Sequence, residues 1–167
     1  MKLIVNTDIN WGIGKDNDLL FANKADMKFF RETTSGGTVV MGRKTLESFP
    51  GGKPLKNRVN IVMTRSDDYV NDEVVVCRTR DELKKAIAGA DGEVFLIGGA
   101  SMYNEFMDCC DTAYVTRTFA DGGADCFINS LDGRSGWSIA GEGELQKCDD
   151  GTEFRFVTYV NEDVKAL

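Results

Sequence analysis

Thr38-Val39-Val40-Met41-Gly42-Arg43-Lys44-Thr45-Leu46-Glu47-Ser48 opens with β-branched and apolar residues, turns on a glycine and continues as a segment that reads as helix. A strand-to-helix turn of this kind points backbone N–H groups, the cations Arg43 and Lys44 and the Thr45 hydroxyl at one place, which suits an anion. The same turn can also be solvated punctuation, so its meaning depends on what surrounds it. Outward from it, apolar runs at Leu3 to Val5, Val59 to Met63, Glu73 to Val76, Glu93 to Ile97 and Ala113 to Thr116 read as further strands. Helical segments near Lys24 to Thr33, Arg80 to Ala88 and Ser101 to Met107 lie between them, the second opened by the capping pattern Thr79-Arg80-Asp81-Glu82. Alternating strands and helices predict an α/β fold with a mostly parallel central sheet and about four flanking helices. The turn residues Asp149-Asp150-Gly151 before the alternating run Glu153 to Val160 predict an antiparallel C-terminal hairpin at one side of that sheet.

At 167 residues and 42% hydrophobic, the chain fits one domain, 1–167, with a full core. The net charge of −7 and the lack of a basic block argue against nucleic acid and anionic membranes as partners. No apolar run reaches membrane-spanning length, so a soluble, cytoplasmic protein is expected. Five cysteines, Cys77, Cys109, Cys110, Cys126 and Cys148, show no paired ligand spacing and read as free thiols, and no metal site is expected. There is no histidine, which excludes histidine acid–base chemistry and histidine metal ligation. Carboxylates, hydroxyls or a cofactor must carry the chemistry. Two long loops invite a ligand: Ile9 to Ala22, with Gly12 and Gly14, and the loop holding Pro50, Gly51, Gly52 and Pro54.

Lys24-Ala25-Asp26-Met27-Lys28-Phe29-Phe30 places Asp26 and Phe30 four residues apart, a carboxylate and a ring on one helix face. An acid on the apolar side costs stability unless paired, so the pair reads as a pocket wall for a flat, cationic heterocycle. The plainer reading is an acid in the first turn of a helix capped by Asn23. Two more strand ends carry ligand-binding residues: Met63-Thr64-Arg65, a hydroxyl and a guanidinium, and Ile97-Gly98-Gly99-Ala100-Ser101-Met102-Tyr103, a glycine-rich phosphate turn without dinucleotide GxGxxG spacing. The two basic strand ends, at Arg43 and Arg65, suggest a phosphorylated nucleotide.

Together these stretches resemble the dihydrofolate reductase family. The resemblance covers most of the chain: Gly12 to Asn17, Ala25 to Phe30, Val39 to Ser48, Arg58, Ile97 to Tyr103 and Tyr114-Val115-Thr116. It implies a dihydrofolate reductase-like fold with an adenosine-binding subdomain near 37–109, and NADPH-dependent reduction of 7,8-dihydrofolate by hydride transfer to C6 with protonation at N5. It implies a catalytic group of Asp26, Thr116 and Phe21, with Asp26 as the pterin-binding acid and Thr116 completing its hydrogen-bond network through water. Ile4, Val5, Met27, Phe30, Phe49, Leu55 and Ile97 would line the substrate, and Arg58 would bind the carboxylate of its glutamate tail. For the cofactor, Arg43, Lys44, Thr64 and Arg65 would hold the adenosine 2′-phosphate, Thr45, Gly98, Gly99, Ala100, Ser101 and Met102 the pyrophosphate region, and Ile13, Gly14, Ser48 and Tyr103 would border the nicotinamide. Asn6, Gly42 and Arg78 would also bind the cofactor. Diaminopyrimidine-type inhibitors would pair with Asp26, and a monomer is expected.

The chain departs from the family pattern in the loop entering the acid-bearing helix, where Leu19-Leu20-Phe21-Ala22-Asn23-Lys24 stands in place of a stretch that usually carries tryptophan and proline. Phe21 has no indole N–H to donate. The first strand carries Asn6, Thr7 and Asp8 where small or apolar residues are more usual. Two rivals use the same elements: a riboflavin-pathway-type NADPH reductase of the same fold, which does not call for Asp26 with Phe30, and a non-catalytic NADP-binding module. A purely structural α/β domain is the third.

Overall fold

The computed structural model describes residues Met1–Leu167. In chain order the elements are β1 (Lys2–Thr7), β2 (Gly12–Lys15), β3 (Asp18–Leu19), α1 (Lys24–Thr34), β4 (Thr38–Gly42), α2 (Arg43–Ser48), β5 (Val59–Met63), β6 (Val75–Cys77), α3 (Arg80–Ala88), β7 (Val94–Gly98), α4 (Ala100–Phe106), β8 (Thr112–Thr118), β9 (Cys126–Phe127), β10 (Trp137–Glu142), β11 (Gln146–Lys147) and β12 (Glu153–Asn161). Six strands run parallel in the order β8-β1-β7-β4-β5-β6. All six therefore end at the same edge of the sheet, where ligands of open α/β sheets gather.

The parallel strands are buried on both faces, and successive residues divide between two cores. Ile4, Val39, Met41, Val62, Phe95 and Ile97 pack with Leu46 of α2 and with Phe29 and Phe30 of α1. Leu3, Val5, Val40, Ile61 and Leu96 pack on the other side with Leu83 of α3 and with Met102, Tyr103 and Phe106 of α4. The caps follow the sequence: Asn23 Oδ1 accepts from the Asp26 amide at 3.0 Å, and Thr79 Oγ1 from the Glu82 amide at 3.1 Å.

The C-terminal part is antiparallel and lies at one side of the sheet, as expected. The β11–β12 pairing across the 149–151 turn covers only two residue pairs, and β12 is an interior strand lying between β8 and β10. Strand β10 escaped the sequence reading because after Trp137 all of its residues are exposed, so no apolar alternation marks it. The loop Ile9 to Ala22 is also partly ordered: β2 and β3 form a hairpin, with Asp16 and Asn17 at φ of 50° and 59° in the turn. Two left-handed central residues match the twist of a two-residue hairpin, and Asp and Asn tolerate them best among side chains other than glycine.

Asp8 holds this region to the sheet. Fully buried at the end of β1, it accepts from the amides of Asn10 and Gly12 through Oδ1, at 2.8 and 2.7 Å, and from Gly122 through Oδ2 at 3.0 Å. Gly12 is required there, since a Cβ would stand 2.9 Å from Asp8 Oδ1. Strand β2 then pairs with β9, and Asp125 Oδ2 accepts from the Asp16 amide at 2.9 Å. In Asp8→Asn the side-chain amide would face the Gly122 amide, donor against donor. Urea denaturation should show a loss of about 2–3 kcal/mol, and a loss below about 0.5 kcal/mol would contradict the role given to this carboxylate.

A candidate active site around Asp26

Strand β1 pairs with β8 so that Asn6 stands opposite Thr116, with Thr118 two residues further along β8 on the same face. Across the cleft, Asn23 starts α1 so that its first turn presents Asp26 to this edge. Thr116 Oγ1 donates to Asp26 Oδ1 at 2.6 Å, and Asn6 Nδ2 donates to Asp26 Oδ2 at 3.2 Å. Thr118 Oγ1 in turn donates to Asn6 Oδ1 at 2.8 Å, which fixes the asparagine amide with its NH₂ toward the acid. Burial pushes the Asp26 carboxyl above its ordinary value, and the bonds from Thr116 and Asn6 pull it part of the way back.

Thr116 reaches Asp26 directly rather than through water. Asn6, expected at the cofactor, commits its side chain to Asp26 and Thr118. Phe21 and Met27 line a small cleft beside the acid with Asn6, Ile13, Leu19 and Leu20. Ile4, Phe30, Phe49, Leu55 and Ile97 come together in one apolar cluster next to it. Val5 is not brought there: strand alternation turns its side chain into the opposite core.

Arg58 lies at the far end of α1. Its Nη1 donates to Thr34 Oγ1 at 2.9 Å and its Nε to the Lys56 carbonyl at 2.9 Å. Partial burial, with Arg31 nearby, lowers the tendency of this guanidinium to hold its proton. A carboxylate at this place would relieve the repulsion between the two cations.

The second half of the site lies at the ends of β4, β5 and β7. Gly42, Gly98 and Gly99 approach closely: a Cβ on Gly42 would touch Met102 Cγ at 3.4 Å, and one on Gly99 would stand 3.4 Å from Thr45 Oγ1. Gly98 has φ of 130°, where a Cβ would be strained and would meet Tyr103 at 3.4 Å. Tyr103 is buried and donates to the Ile4 carbonyl at 2.6 Å, so it ties α4 to β1 beneath the acid. Ala100 is half-buried and Ser101 exposed at the start of α4, while Ser48 donates to the Thr45 carbonyl at 2.6 Å. Gly14 is buried in β2, and Asn17 Nδ2 reaches the Lys44 carbonyl at 3.2 Å, joining the β2–β3 hairpin to α2.

Arg43, Lys44 and Arg65 are exposed, and Arg43 also bonds Glu47 at 2.7 Å and sits 4.9 Å over the Tyr69 ring. Thr64 Oγ1 accepts from the Ser66 amide at 3.1 Å. Arg78, expected at the cofactor, spends its guanidinium on the carbonyls of Ser66, Asp67 and Tyr69 and braces the segment after β5. The Thr118–Asn6 link was not read from sequence. Its available signal was the polar run Asn6-Thr7-Asp8 continuing an apolar strand, since polar residues at buried strand positions need partners.

Comparisons with known proteins bear on the whole chain. Residues 1–161 match the family model described as "Dihydrofolate reductase". The chain is 33% identical over 162 residues to the dihydrofolate reductase of Bacillus subtilis, covering 95% of this chain and 93% of that one. It is 34% identical over 153 residues to the enzyme of Haemophilus influenzae, covering 92% of each. The solved structure of the Enterococcus faecalis dihydrofolate reductase, complexed with NADP(H) and RAB-propyl, superposes with a TM-score of 0.86 at 30% identity, over 97% of this chain and 96% of that one.

An acid that holds its proton more tightly in the folded state contributes stability at low pH, and that contribution is lost as pH rises from the unfolded value through the folded one. Asp26→Asn should therefore melt at a higher temperature than the parent protein at pH 7, with the advantage vanishing as pH falls to about 4. A mutant less stable than the parent at pH 7 would show that the bonds from Thr116 and Asn6 outweigh desolvation.

Proposed function

Because this chain belongs to the dihydrofolate reductase family, we propose that Asp26 is the group that binds and polarises the pterin, with Thr116 holding it in place. The reaction is the NADPH-dependent reduction of 7,8-dihydrofolate to tetrahydrofolate. The observation that carries the assignment of Asp26 is its place as a half-buried carboxylate with a donor on each oxygen, beside the apolar cluster of Ile4, Phe30, Phe49, Leu55 and Ile97. Bound NADPH supplies the hydride from its nicotinamide C4.

The protein's share of the reaction is to orient the ring, exclude water and favour positive charge on the pterin. C6 accepts hydride only when the neighbouring N5 is protonated. An ionised Asp26 paired with the pterin amino group and ring nitrogen stabilises that cation in a site of low dielectric. Solvent delivers the N5 proton, since the cleft holds no second titratable side chain. The hairpin of β2 and β3, held by Asp8 and β9, covers the nicotinamide side with Ile13 and Gly14 and keeps water out. Phe30, Phe49 and Leu55 grip the flat body of the substrate, and Arg58 takes the tail carboxylate.

The cofactor fits the second half of the site. Gly42, Gly98 and Gly99 leave a cradle that a Cβ would narrow against Met102 and Thr45, and bare backbone there admits a pyrophosphate. Thr45, Ala100, Ser101 and Met102 would complete it, while Arg43, Lys44, Thr64 and Arg65 would hold the 2′-phosphate. Residues 37–109 form the adenosine-binding part of one domain, and the chain acts as a monomer in the cytoplasm. Inhibitors of the diaminopyrimidine class would present a protonated ring to Asp26, exchanging one buried ion pair for the contact made by the substrate.

With NADPH and dihydrofolate followed by loss of reduced-nicotinamide absorbance, Asp26→Asn should lose at least about a hundredfold in hydride transfer with NADPH affinity changed less than about threefold. Equal losses in both would sink this assignment. Replacing Arg43 and Arg65 by glutamine should weaken NADPH by about tenfold or more while leaving NADH almost unaffected. Parallel losses for both cofactors would place the 2′-phosphate elsewhere.

A further inference from the structure

Both oxygens of Asp26 have a donor, but the two donors are held in different ways. Thr116 lies on β8 and gives the shorter bond, 2.6 Å to Oδ1. The Oδ2 atom depends on Asn6 of β1, at 3.2 Å, and an asparagine amide could equally turn its oxygen toward the acid, where two acceptors would repel. Thr118 removes that alternative. Its hydroxyl donates to Asn6 Oδ1 at 2.8 Å, and Thr118 itself is 1% exposed, so the orientation is set from inside the sheet.

Register makes the arrangement specific. Asn6 pairs with Thr116 in the parallel β1–β8 ladder, so three polar side chains of two strands form one hydrogen-bonded network that ends on one carboxylate. Phe21, lining the same cleft, has no hydrogen to donate. Asn6 is therefore the sole side chain that donates to Asp26 Oδ2.

We infer that Asn6, oriented by Thr118, is a positioning residue for the reaction: it keeps Asp26 ionised and fixes the plane of its carboxylate, so that the acid meets a cationic pterin or diaminopyrimidine ring edge-on. The inference rests on the reading of Asp26 as the pterin acid. A donor to the anion has nothing comparable to give to the protonated form, so its removal favours protonation. The other ionisable groups whose charge is coupled to Asp26 are the Tyr103 hydroxyl on α4 and the Cys148 thiol after β11. Burial pushes both above their ordinary values, so both are neutral where a carboxylate titrates. Lys24 is paired with Asp149 and Lys28 with Glu32, both at exposed positions. The loss of a signal in Asp26→Asn tells the Asp26 titration from those of the exposed carboxylates Asp149 and Glu32.

The test combines a direct titration with a binding profile. Protein labelled with ¹³C at the aspartate carboxyl carbons is titrated by NMR, the Asp26 signal being identified by its loss in Asp26→Asn. The affinity of 2,4-diaminopyrimidine, used as the probe, is measured across the same pH range. Asn6→Ala should raise the Asp26 midpoint by about one pH unit, a tenfold change in its ionisation ratio. Thr118→Val, which keeps the side-chain shape and leaves Asn6 in place, should raise it by less. The acid limb of the probe's affinity should move with the midpoint in both.

An unmoved midpoint in Asn6→Ala overturns the inference, as does a Thr118→Val protein that loses stability with the midpoint of the parent. If the midpoint rises while the probe's acid limb stays in place, the Asn6–Asp26 bond stands but Asp26 is not the acid that meets the ring. In that case the reading of the site fails, and the positioning role falls with it.

Discussion

A carboxylate taken partly out of water has to be answered from both strands that face it. That demand ties the register of the central sheet to the chemistry of its edge. Asp26 is answered by Thr116 on β8 and by Asn6 on β1, and these two residues are ladder partners. Because side chains alternate along a strand, a slip of one residue would replace Asn6 by Val5 or Thr7 and turn the amide into the opposite core. Ile4, on the same face as Asn6, would leave the cluster it shares with Phe30 and Ile97 at the same time. The hydrophobic pattern and the polar network thus select one register, and their agreement leaves few alternatives of similar energy.

The end of β1 carries a second polar commitment of a different kind. Asn6 serves the side-chain chemistry of the cleft, whereas Asp8 serves backbone amides from two separate loops, at Asn10 and Gly12 and at Gly122. Strand β9 adds a ladder to β2, and Asp125 adds a bond to the Asp16 amide, so the β2–β3 hairpin is fastened at its base and near its tip. A short hairpin with no helix over it has little apolar burial of its own to hold it. Charge-assisted bonds to a buried carboxylate supply rigidity where packing cannot, and this lets a chain segment with many exposed residues sit in a defined place beside the cleft.

Much of this architecture was legible in the sequence because strand and helix elements announce themselves locally. Val39 to Ser48 and Ile97 to Tyr103 change from apolar run to helix at a glycine. Asn23 and Thr79 mark helix starts, and both cap as read. What stayed hidden depends on partners far along the chain. Strand β10 is too exposed to show a period, and β2 with β3 is too short to show one, although Asp16-Asn17 carried the turn chemistry. Within the site, Asp26 and Thr116 could be named from motif position, but the direct bond between them could not, since 90 residues separate them. The polar run Asn6-Thr7-Asp8 was visible as a departure. Its meaning was not, because whether a polar strand residue costs or contributes is decided by its neighbour across the ladder.

On the proposed reading of Asp26, stability and activity pull on one residue in opposite directions. Burial favours a neutral Asp26, while a cationic ring needs it charged. Donors on both oxygens are the compromise: they recover part of the desolvation cost without neutralising the group, which a lysine or arginine at the same distance would do at the expense of the ligand's own charge. Neutral donors suit a site whose ligand must supply the positive partner. That logic accounts for a cleft lined by asparagine and apolar side chains, with a threonine behind the acid and the cations kept at the outer ends, at Arg58 on one side and at Arg43, Lys44 and Arg65 on the other. On the proposed reading, the charges that would grip the two anionic ends of the ligands are thereby held apart from the one charge that would act on the ring.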